Sequence, residues 1–277
     1  MTRRILTFLI TFFFVILALP ISGLAKNYVQ YFGNGKIDWS HRMIEAIGLA
    51  YPPKNPINRA QSRALTKSEA EAQARNHLLD IIREMKIDSK NLVRDYMEQS
   101  DFPFADFHAL LRRAEVVDIA YLDNGCVKSN VFMSLAGSFS ELFLPKNILD
   151  IDQIQQPQEA NKKEDAFSGL VVDCRGLPLK PAMVPVILDE DGHVIYGSAY
   201  VSRDHAVQMG VVSYVKDLSA AQRNPRVTPR PLTLKAIRVL KGRETDVVIS
   251  NADGAKIKGI PSNLSFLHKG RVLIVLD

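Results

Sequence analysis

Cysteine, histidine and tryptophan are scarce in this chain, and their scarcity excludes several kinds of site. There are 2 cysteines, 6 histidines and 1 tryptophan in 277 residues, and no two histidines lie three or four positions apart. Zinc needs convergent His or Cys ligands at short spacing. The Gly-x-Ser-x-Gly elbow of many hydrolases is missing, and so is any phosphate-cradling glycine pattern. The sequence therefore predicts no catalytic, cofactor-binding or metal-binding residues.

Charge imbalance and long apolar runs are limited as well. Lys and Arg number 35 against 30 Asp and Glu, which is too even a balance to indicate a nucleic-acid-binding surface. The long apolar run Ile5–Leu19 has 15 residues, whereas a membrane-spanning helix needs about 20. We therefore expect no nucleic-acid partner, and no integral membrane segment once the N-terminal signal is cleaved.

The first 25 residues are arranged as a secretory signal peptide. Arg3 and Arg4 precede the apolar run, Pro20 ends it, and small residues follow up to Ala25. This order of basic, apolar and small residues is typical of a cleaved export signal. We predict cleavage after Ala25 and a periplasmic or otherwise exported product, with an uncleaved anchor as the alternative. The first cysteine is Cys126, so we expect no lipidation at the cut.

A polar stretch divides the mature chain into two predicted domains. Residues 150–166 read DIDQIQQPQEANKKEDA, which contains no aromatic residue and cannot bury much apolar surface. We expect a linker there, between one domain at 26–149 and a second at 167–277. Cys126 and Cys174 lie on opposite sides of this linker. They form either a disulfide between the domains or two buried free thiols.

The first domain is predicted to be an antiparallel sheet with a long Ala-rich helix. Met43–Ala50 mixes β-branched and apolar residues and predicts a strand that ends before paired prolines. Asn58–Met85 contains no Gly or Pro and predicts a helix. One helix face is largely small, so it could lie close on the sheet or form an oligomer seam. That face consists of Ala60, Ala64, Ala74, Leu78 and Ile82.

Shorter elements complete the predicted first domain. A helix is expected at 91–98, with Asp88 or Ser89 as its N-cap, and another at 105–113. Asp123-Asn124-Gly125 is a strong hairpin signal between two further strands.

The second domain is predicted to be β-rich. The acidic turn Asp189–Gly192 joins two strands as a hairpin, and a short helix begins at the cap Ser202 and ends near Gly210. Further strands are expected at 167–173, 211–215, 232–239, 245–250 and 271–276. The fold class of the whole chain is accordingly predicted to be α+β.

The segment from Gly35 to about Leu144 resembles a family of bacterial envelope proteins. It reads GKIDWSHRMIEAIGLAYPP, then NRAQSRALTKSEAEAQARNHLLDIIREMKIDS, and then the Asp123–Gly125 hairpin. This order is similar to the Lpp twenty-kilodalton lipoprotein family and to the N-terminal domain of the flagellar assembly protein T. The resemblance implies an envelope protein with no assigned catalytic activity. The missing lipidation cysteine departs from the lipoprotein pattern.

Three features could carry function, and each also has a simpler structural explanation. The acidic turn could belong to a calcium loop, but no alternating ligands continue it, and turn chemistry explains the same residues. Ser202 and His205 could form a catalytic pair, although Ser202 is also a helix cap. Trp39 could be a partner hot spot, while packing in the core or on the sheet is its default role.

These observations favour a non-enzymatic exported envelope protein with a structural or assembly role. It would act by protein–protein contact with envelope or flagellar-type partners, or by self-association, and it would need no cofactor. The alternative is a periplasmic enzyme or a binding module that acts on an envelope polymer or a small ligand. An enzyme would need a deep polar pocket with perturbed acidic residues, and a binding module would use the cleft between the domains.

Overall fold

A computed structural model describes residues 27–56, 58–146, 148, 167–260 and 263–277. The predicted signal peptide at 1–25 and the predicted linker at 150–166 lie outside these residues. Helices and several sheets are both present, so the α+β prediction is confirmed. No helix in the described ranges is long and apolar enough to cross a bilayer. Residues 27–148 are called the first half below, and residues 167–277 the second half.

The first half is one antiparallel sheet with helices on one face. Its strands pair in the order β1-β2-β3-β5-β4, with the hairpin at Gly125 joining β4 to β5 as predicted. Its elements are β1 Val29–Phe32, β2 Gly35–Asp38, β3 Met43–Ala50, α1 Arg59–Arg83, α2 Val93–Met97, α3 Phe104–Arg112, β4 Glu115–Tyr121, β5 Val127–Ser134 and α4 Ser138–Phe143.

The second half contains two smaller sheets. One is entirely parallel, in the order β10-β6-β13-β9, and the other is mixed, in the order β11-β12-β7-β8. Its elements are β6 Gly169–Asp173, β7 Ile187–Leu188, β8 Val194–Tyr196, a 3₁₀ turn Ser198–Tyr200, α5 Arg203–Met209, β9 Ser213–Val215, α6 Leu218–Gln222, β10 Pro231–Lys235, β11 Arg238–Leu240, β12 Arg243–Val248, α7 Asn251–Lys258, α8 Asn263–His268 and β13 Val272–Val275.

The parallel sheet explains why the apolar strands of the second half show no alternation. Every residue of β6, β9 and β13 is buried, because parallel strands are covered on both faces. The single strand predicted at 232–239 is in fact two strands, β10 and β11, which belong to different sheets.

The long helix α1 lies unusually close to the sheet. Asn58 caps it by accepting a hydrogen bond from the Gln61 N–H at 2.8 Å. At Gly48 of β3, an added Cβ would lie 2.0 Å from the Ala70 carbonyl oxygen and 2.5 Å from the Ala74 nitrogen. Only a residue without a side chain permits this approach. The small-residue face of α1 is therefore used for packing on its own sheet.

The buried face of α1 differs from the predicted one at its N-terminal end. The buried residues are Thr66, Ala70, Ala74, Leu78, Ile81 and Ile82, while Ala60 and Ala64 are exposed. The buried positions recur every four residues, which turns the contact line by about 40° at each step on a helix of 3.6 residues per turn. A line that turns in this way can follow the twist of the sheet.

The predicted caps of α2 are wrong. The helix begins at Val93, after Leu92, rather than at Asn91. Asp88 instead accepts hydrogen bonds from the Lys90 and Asn91 N–H groups at 2.7 and 2.9 Å. A short aspartate side chain commonly folds back in this way to form a turn before a helix.

The two halves share one hydrophobic core. A single cluster of contacting buried side chains includes residues from both. Trp39 lies just after β2, and its buried ring meets Tyr214 edge-on with ring centres 5.7 Å apart. Backbone hydrogen bonds from Met183 to Lys86 and from Val184 to Ile87 add a second contact, at 3.0 and 2.7 Å. We call this contact region the joint.

Candidate functional site

Ser202 and His205 are brought together by the first turn of α5. The Ser202 Oγ lies 2.7 Å from His205 Nδ1 and accepts a hydrogen bond from the His205 N–H at 3.4 Å. Ser202 is buried, and no carboxylate in the described ranges bonds the imidazole. A catalytic serine needs an accessible hydroxyl and an oriented base. The arrangement fits the helix-cap interpretation instead.

The acidic turn of the second half is hydrogen-bonded to the start of α7. Asp189 accepts from the His193 N–H at 2.8 Å, which closes the turn at Gly192. Glu190 accepts from the Asn251 N–H, and Asp191 from the Asn251 side-chain amide, both at 3.0 Å. These carboxylates thus serve a local structural contact. Within the described ranges, no cluster of three or more His, Cys, Asp or Glu could hold a metal ion.

Both cysteines are buried free thiols. Burial is the main cause that raises the pKa of Cys174 to about 12, and Asp173 adds to it. A thiol with such a pKa stays protonated and unreactive near neutral pH. Of the two possibilities left open by the sequence, buried free thiols are what the structure contains.

The joint contains two buried arginines that no motif indicated. Arg42 has a left-handed backbone, with φ of 56°, and donates to the carbonyl oxygens of Gln208 and Leu135 at 2.8 and 3.0 Å. Arg226 donates to the carbonyls of Met209 and Gly210, at 2.5 and 2.7 Å. The two guanidinium groups, one from each half, therefore cap the C-terminal end of α5, where a cation is favourable.

The environment of the joint lowers the pKa of both guanidinium groups. Burial lowers the pKa of Arg42 to about 10, with a smaller contribution from the nearby positive charge of Arg226. Burial likewise lowers the pKa of Arg226 to about 10. Both groups remain charged at neutral pH, and their hydrogen bonds to carbonyl oxygens offset part of the cost of burying them.

A small cavity lies at the joint, beside Trp39, Arg42, Ser140 and Tyr214. Its volume is about 20 Å³, which is room for about one water molecule. A drug-sized ligand needs a pocket of at least about 300 Å³. The joint is therefore a packed contact between the halves, and this cavity is too small for an organic substrate.

The carboxyl-terminal edge of the parallel sheet is the usual place for a ligand in such a fold. Here two carboxylates accept hydrogen bonds from neighbouring groups of the chain. Asp173 accepts from Arg175 Nε and Nη2, both at 2.8 Å, and Asp277 accepts from the Gly176 N–H at 2.8 Å. The hydrogen bond from Arg175 is the main cause that lowers the pKa of Asp173 below its usual value. Both carboxylates at this edge are thus engaged in hydrogen bonds within the chain.

The outer face of the five-stranded sheet carries open apolar side chains. Alternation along β3 directs Ile44, Ala46, Gly48 and Ala50 toward α1, and it directs Met43, Ile47 and Leu49 away from it. On the neighbouring strand, Phe132 lies opposite Glu45, between Met43 and Ile47. Met43 and Leu49 are exposed, and Ile47 and Phe132 are half-buried. We call Met43, Ile47, Leu49 and Phe132 the outer-face strip.

Charged side chains border this strip and also lie within it, because Glu45 stands between Met43 and Ile47 on the same face of β3. Lys36 and Glu45 form an ion pair at 2.7 Å across β2 and β3, and Lys128 stands opposite Leu49. An apolar centre with a charged rim is the usual composition of a protein–protein contact surface. The sequence indicated the strand but not which of its faces the helix would leave open.

Comparison with known proteins adds a likeness for the second half. Residues 169–277 match the family described as Treponema pallidum Tp0624, second domain. This range is less than half of the chain, and its description names no activity. It begins at the first residue of β6 and runs to Asp277, so it contains both sheets of the second half. No curated protein matches the chain.

Proposed function

We propose that this chain is a non-enzymatic, exported protein that acts in the bacterial cell envelope by protein–protein contact. Its role is structural or that of an assembly factor. Its partners are envelope or flagellar-type proteins, or further copies of itself.

The outer-face strip is the observation that carries this proposal. Four apolar side chains lie on the same face of two neighbouring strands, around the ion-paired Glu45, and the sheet is covered by α1 on its opposite face. Singly scattered apolar residues need no explanation, but a group of them on one open face with charged neighbours indicates a contact surface.

Three further observations support the proposal. The first 25 residues have the order of an export signal. The segment from Gly35 to about Leu144 resembles envelope proteins of the Lpp twenty-kilodalton and flagellar assembly protein T kinds. The polar groups that could have formed a site at Ser202, at the acidic turn and at Asp173 are engaged in structural hydrogen bonds.

Site-specific photo-crosslinking in intact cells tests the proposal. A photoreactive phenylalanine analogue is placed at Met43 or Phe132 in the full chain. Val194 and Ile237, which are exposed at 40% and 46% in the second half, serve as matched controls. We expect a discrete adduct from the outer-face positions and none from the controls. An adduct of twice the chain's mass identifies self-association.

Absence of an adduct at both outer-face positions contradicts the proposal. So does an identical set of adducts from Val194 and Ile237, because contact would then be unrelated to the sheet. Each variant must first show the circular dichroism spectrum of the parent protein.

A further inference from the structure

The end of the first half that lies farthest from the joint combines exposed apolar side chains with basic residues. At this end, β3 stops at Ala50, the β4–β5 hairpin turns at Gly125, and α1 begins. The joint residues Trp39 and Arg42 flank the opposite end of β3. We call the end formed by residues 51–56, 58–67 and 121–128 the distal tip.

Large apolar side chains are exposed on the distal tip. Tyr51 is 68% exposed, Tyr121 46% and Leu122 43%. They lie at the same end of the sheet, where the hairpin turn packs on the loop after β3 and an added Cβ on Gly125 would lie 3.4 Å from Pro52 Cγ. Exposed aromatic and leucine side chains at a loop end bury little surface within the protein itself. They are available to an external apolar phase.

Positive charge surrounds these side chains. The Arg63 guanidinium stacks on the Tyr121 ring, with its carbon 3.9 Å from the ring centre. Arg59 and Lys54 are exposed beside it. The distal tip holds five Lys or Arg, namely Lys54, Arg59, Arg63, Lys67 and Lys128, against one acidic residue, Asp123. Its net charge is therefore +4, compared with +5 for the whole chain.

We propose that the distal tip docks on the surface of an anionic phospholipid bilayer. Tyrosine rings and leucine side chains partition into the interface between headgroups and acyl chains, and Arg and Lys bind anionic headgroups. Each basic residue near such a surface contributes about a fivefold factor in binding. The tip points away from the joint, so docking leaves the second half and the outer-face strip open to other contacts.

This inference is independent of the proposed protein partner. A bilayer is favoured over an acidic protein because the exposed apolar groups at the tip lie in a loop and at a hairpin end rather than on a flat sheet face. Interfacial insertion needs only shallow apolar side chains with basic neighbours. It requires no spanning helix.

Vesicle co-sedimentation of the purified mature chain tests the proposal. The probes are vesicles of phosphatidylethanolamine with about one third phosphatidylglycerol, and vesicles of pure phosphatidylcholine. We expect binding to the anionic vesicles to be at least tenfold tighter than to neutral ones, and to weaken as salt is raised. Inorganic phosphate at millimolar concentration should not compete, since a bilayer rather than a free phosphate is bound.

Matched variants locate the surface. Arg59→Glu, at the start of α1, should weaken binding at least tenfold, whereas Arg83→Glu, an equally exposed position at the other end of the helix, should change it less than twofold. The double variant Tyr51→Ser with Leu122→Ser should also weaken binding at least tenfold, against Ile237→Ser as control. Each variant is checked for an unchanged circular dichroism spectrum.

Several results would overturn the proposal. Equal binding to neutral and anionic vesicles would show that charge does not contribute to binding. Equal losses from Arg59→Glu and Arg83→Glu show that the tip is not the surface involved. Binding to a soluble acidic polypeptide such as polyglutamate, without binding to vesicles, assigns the tip to a protein partner instead. None of these results affects the crosslinking test of the outer-face strip.

Discussion

Replacing Tyr214 by Phe removes a single buried hydroxyl from the joint. That hydroxyl donates to the Ala182 carbonyl oxygen at 2.8 Å and accepts from the Ala182 N–H at 2.9 Å. Tyr214 and Ala182 are each 1% exposed, so bulk water does not reach either group. The ring stays in place against Trp39. The substitution therefore leaves one buried donor and one buried acceptor without a partner.

The expected cost follows from those two unpaired groups. A buried polar group that loses its partner costs about 1–3 kcal/mol, so the two groups left by Tyr214→Phe should lower the free energy of unfolding by about 2–6 kcal/mol. With a urea dependence of about 3 kcal/mol per molar, the midpoint should fall by about 0.7–2 M. Tyr200→Phe is the matched control, since its hydroxyl makes one exposed hydrogen bond, to the Val194 carbonyl. We expect it to cost about 0.5 kcal/mol or less.

Urea unfolding is followed by tryptophan fluorescence and by far-ultraviolet circular dichroism. Trp39 is the single tryptophan of the chain and lies in the joint, so its fluorescence reports on contact between the halves. Because the halves share one core, both signals should give the same midpoint. Two separate transitions, or a loss below about 0.5 kcal/mol for Tyr214→Phe, would refute this reasoning.

Three further outcomes follow from particular contacts. Gly48→Ala forces α1 away from the sheet and should cost about 1–3 kcal/mol or more, measured by thermal or urea unfolding; a neutral effect would refute the close approach. A thiol reagent at pH 8 should label neither Cys126 nor Cys174 until denaturant is added, and rapid labelling of the native protein would contradict their burial. The pairing that lowers the pKa of Asp173 stabilises the fold above pH 3.8, and this stabilisation is lost as the pH falls through the folded value. Asp173→Asn should therefore lose less stability than the parent between pH 5 and 3. An equal loss would refute the pairing of Asp173 with Arg175.

Local signals predicted most elements of the first half correctly. The strand Met43–Ala50, the long helix that follows it and the turn at Gly125 are each specified by neighbouring residues. The parallel sheet was not predicted, because its strands are buried on both faces and their partners are distant in sequence. Strand β1 was also missed, since Val29–Phe32 carries no turn signal before it.

The candidate surfaces could be predicted only in part from the sequence. Alternation along Met43–Ala50 showed that the strand has two different faces, but the position of α1 decides which face stays open. The arginines of the joint gave no signal, because Arg42 and Arg226 bind backbone carbonyls, which every residue carries. The distal tip was not predicted because Tyr51 and Tyr121 are 70 positions apart and are brought to the same end of the sheet only by the pairing of β3, β5 and β4.

The size of the native protein in detergent-free envelope extracts tests the central claim most directly. We compare the parent chain with the double variant Met43→Asp and Phe132→Asp, which places two carboxylates in the outer-face strip. The control is Val194→Asp with Ile237→Asp, at two similarly exposed positions of the second half. We predict that the parent and the control elute in one larger complex on gel filtration, and that the outer-face variant elutes as the free chain. Elution of the parent as a free monomer, or of the outer-face variant in the same complex as the parent, would contradict the claim that this protein acts through its outer sheet face.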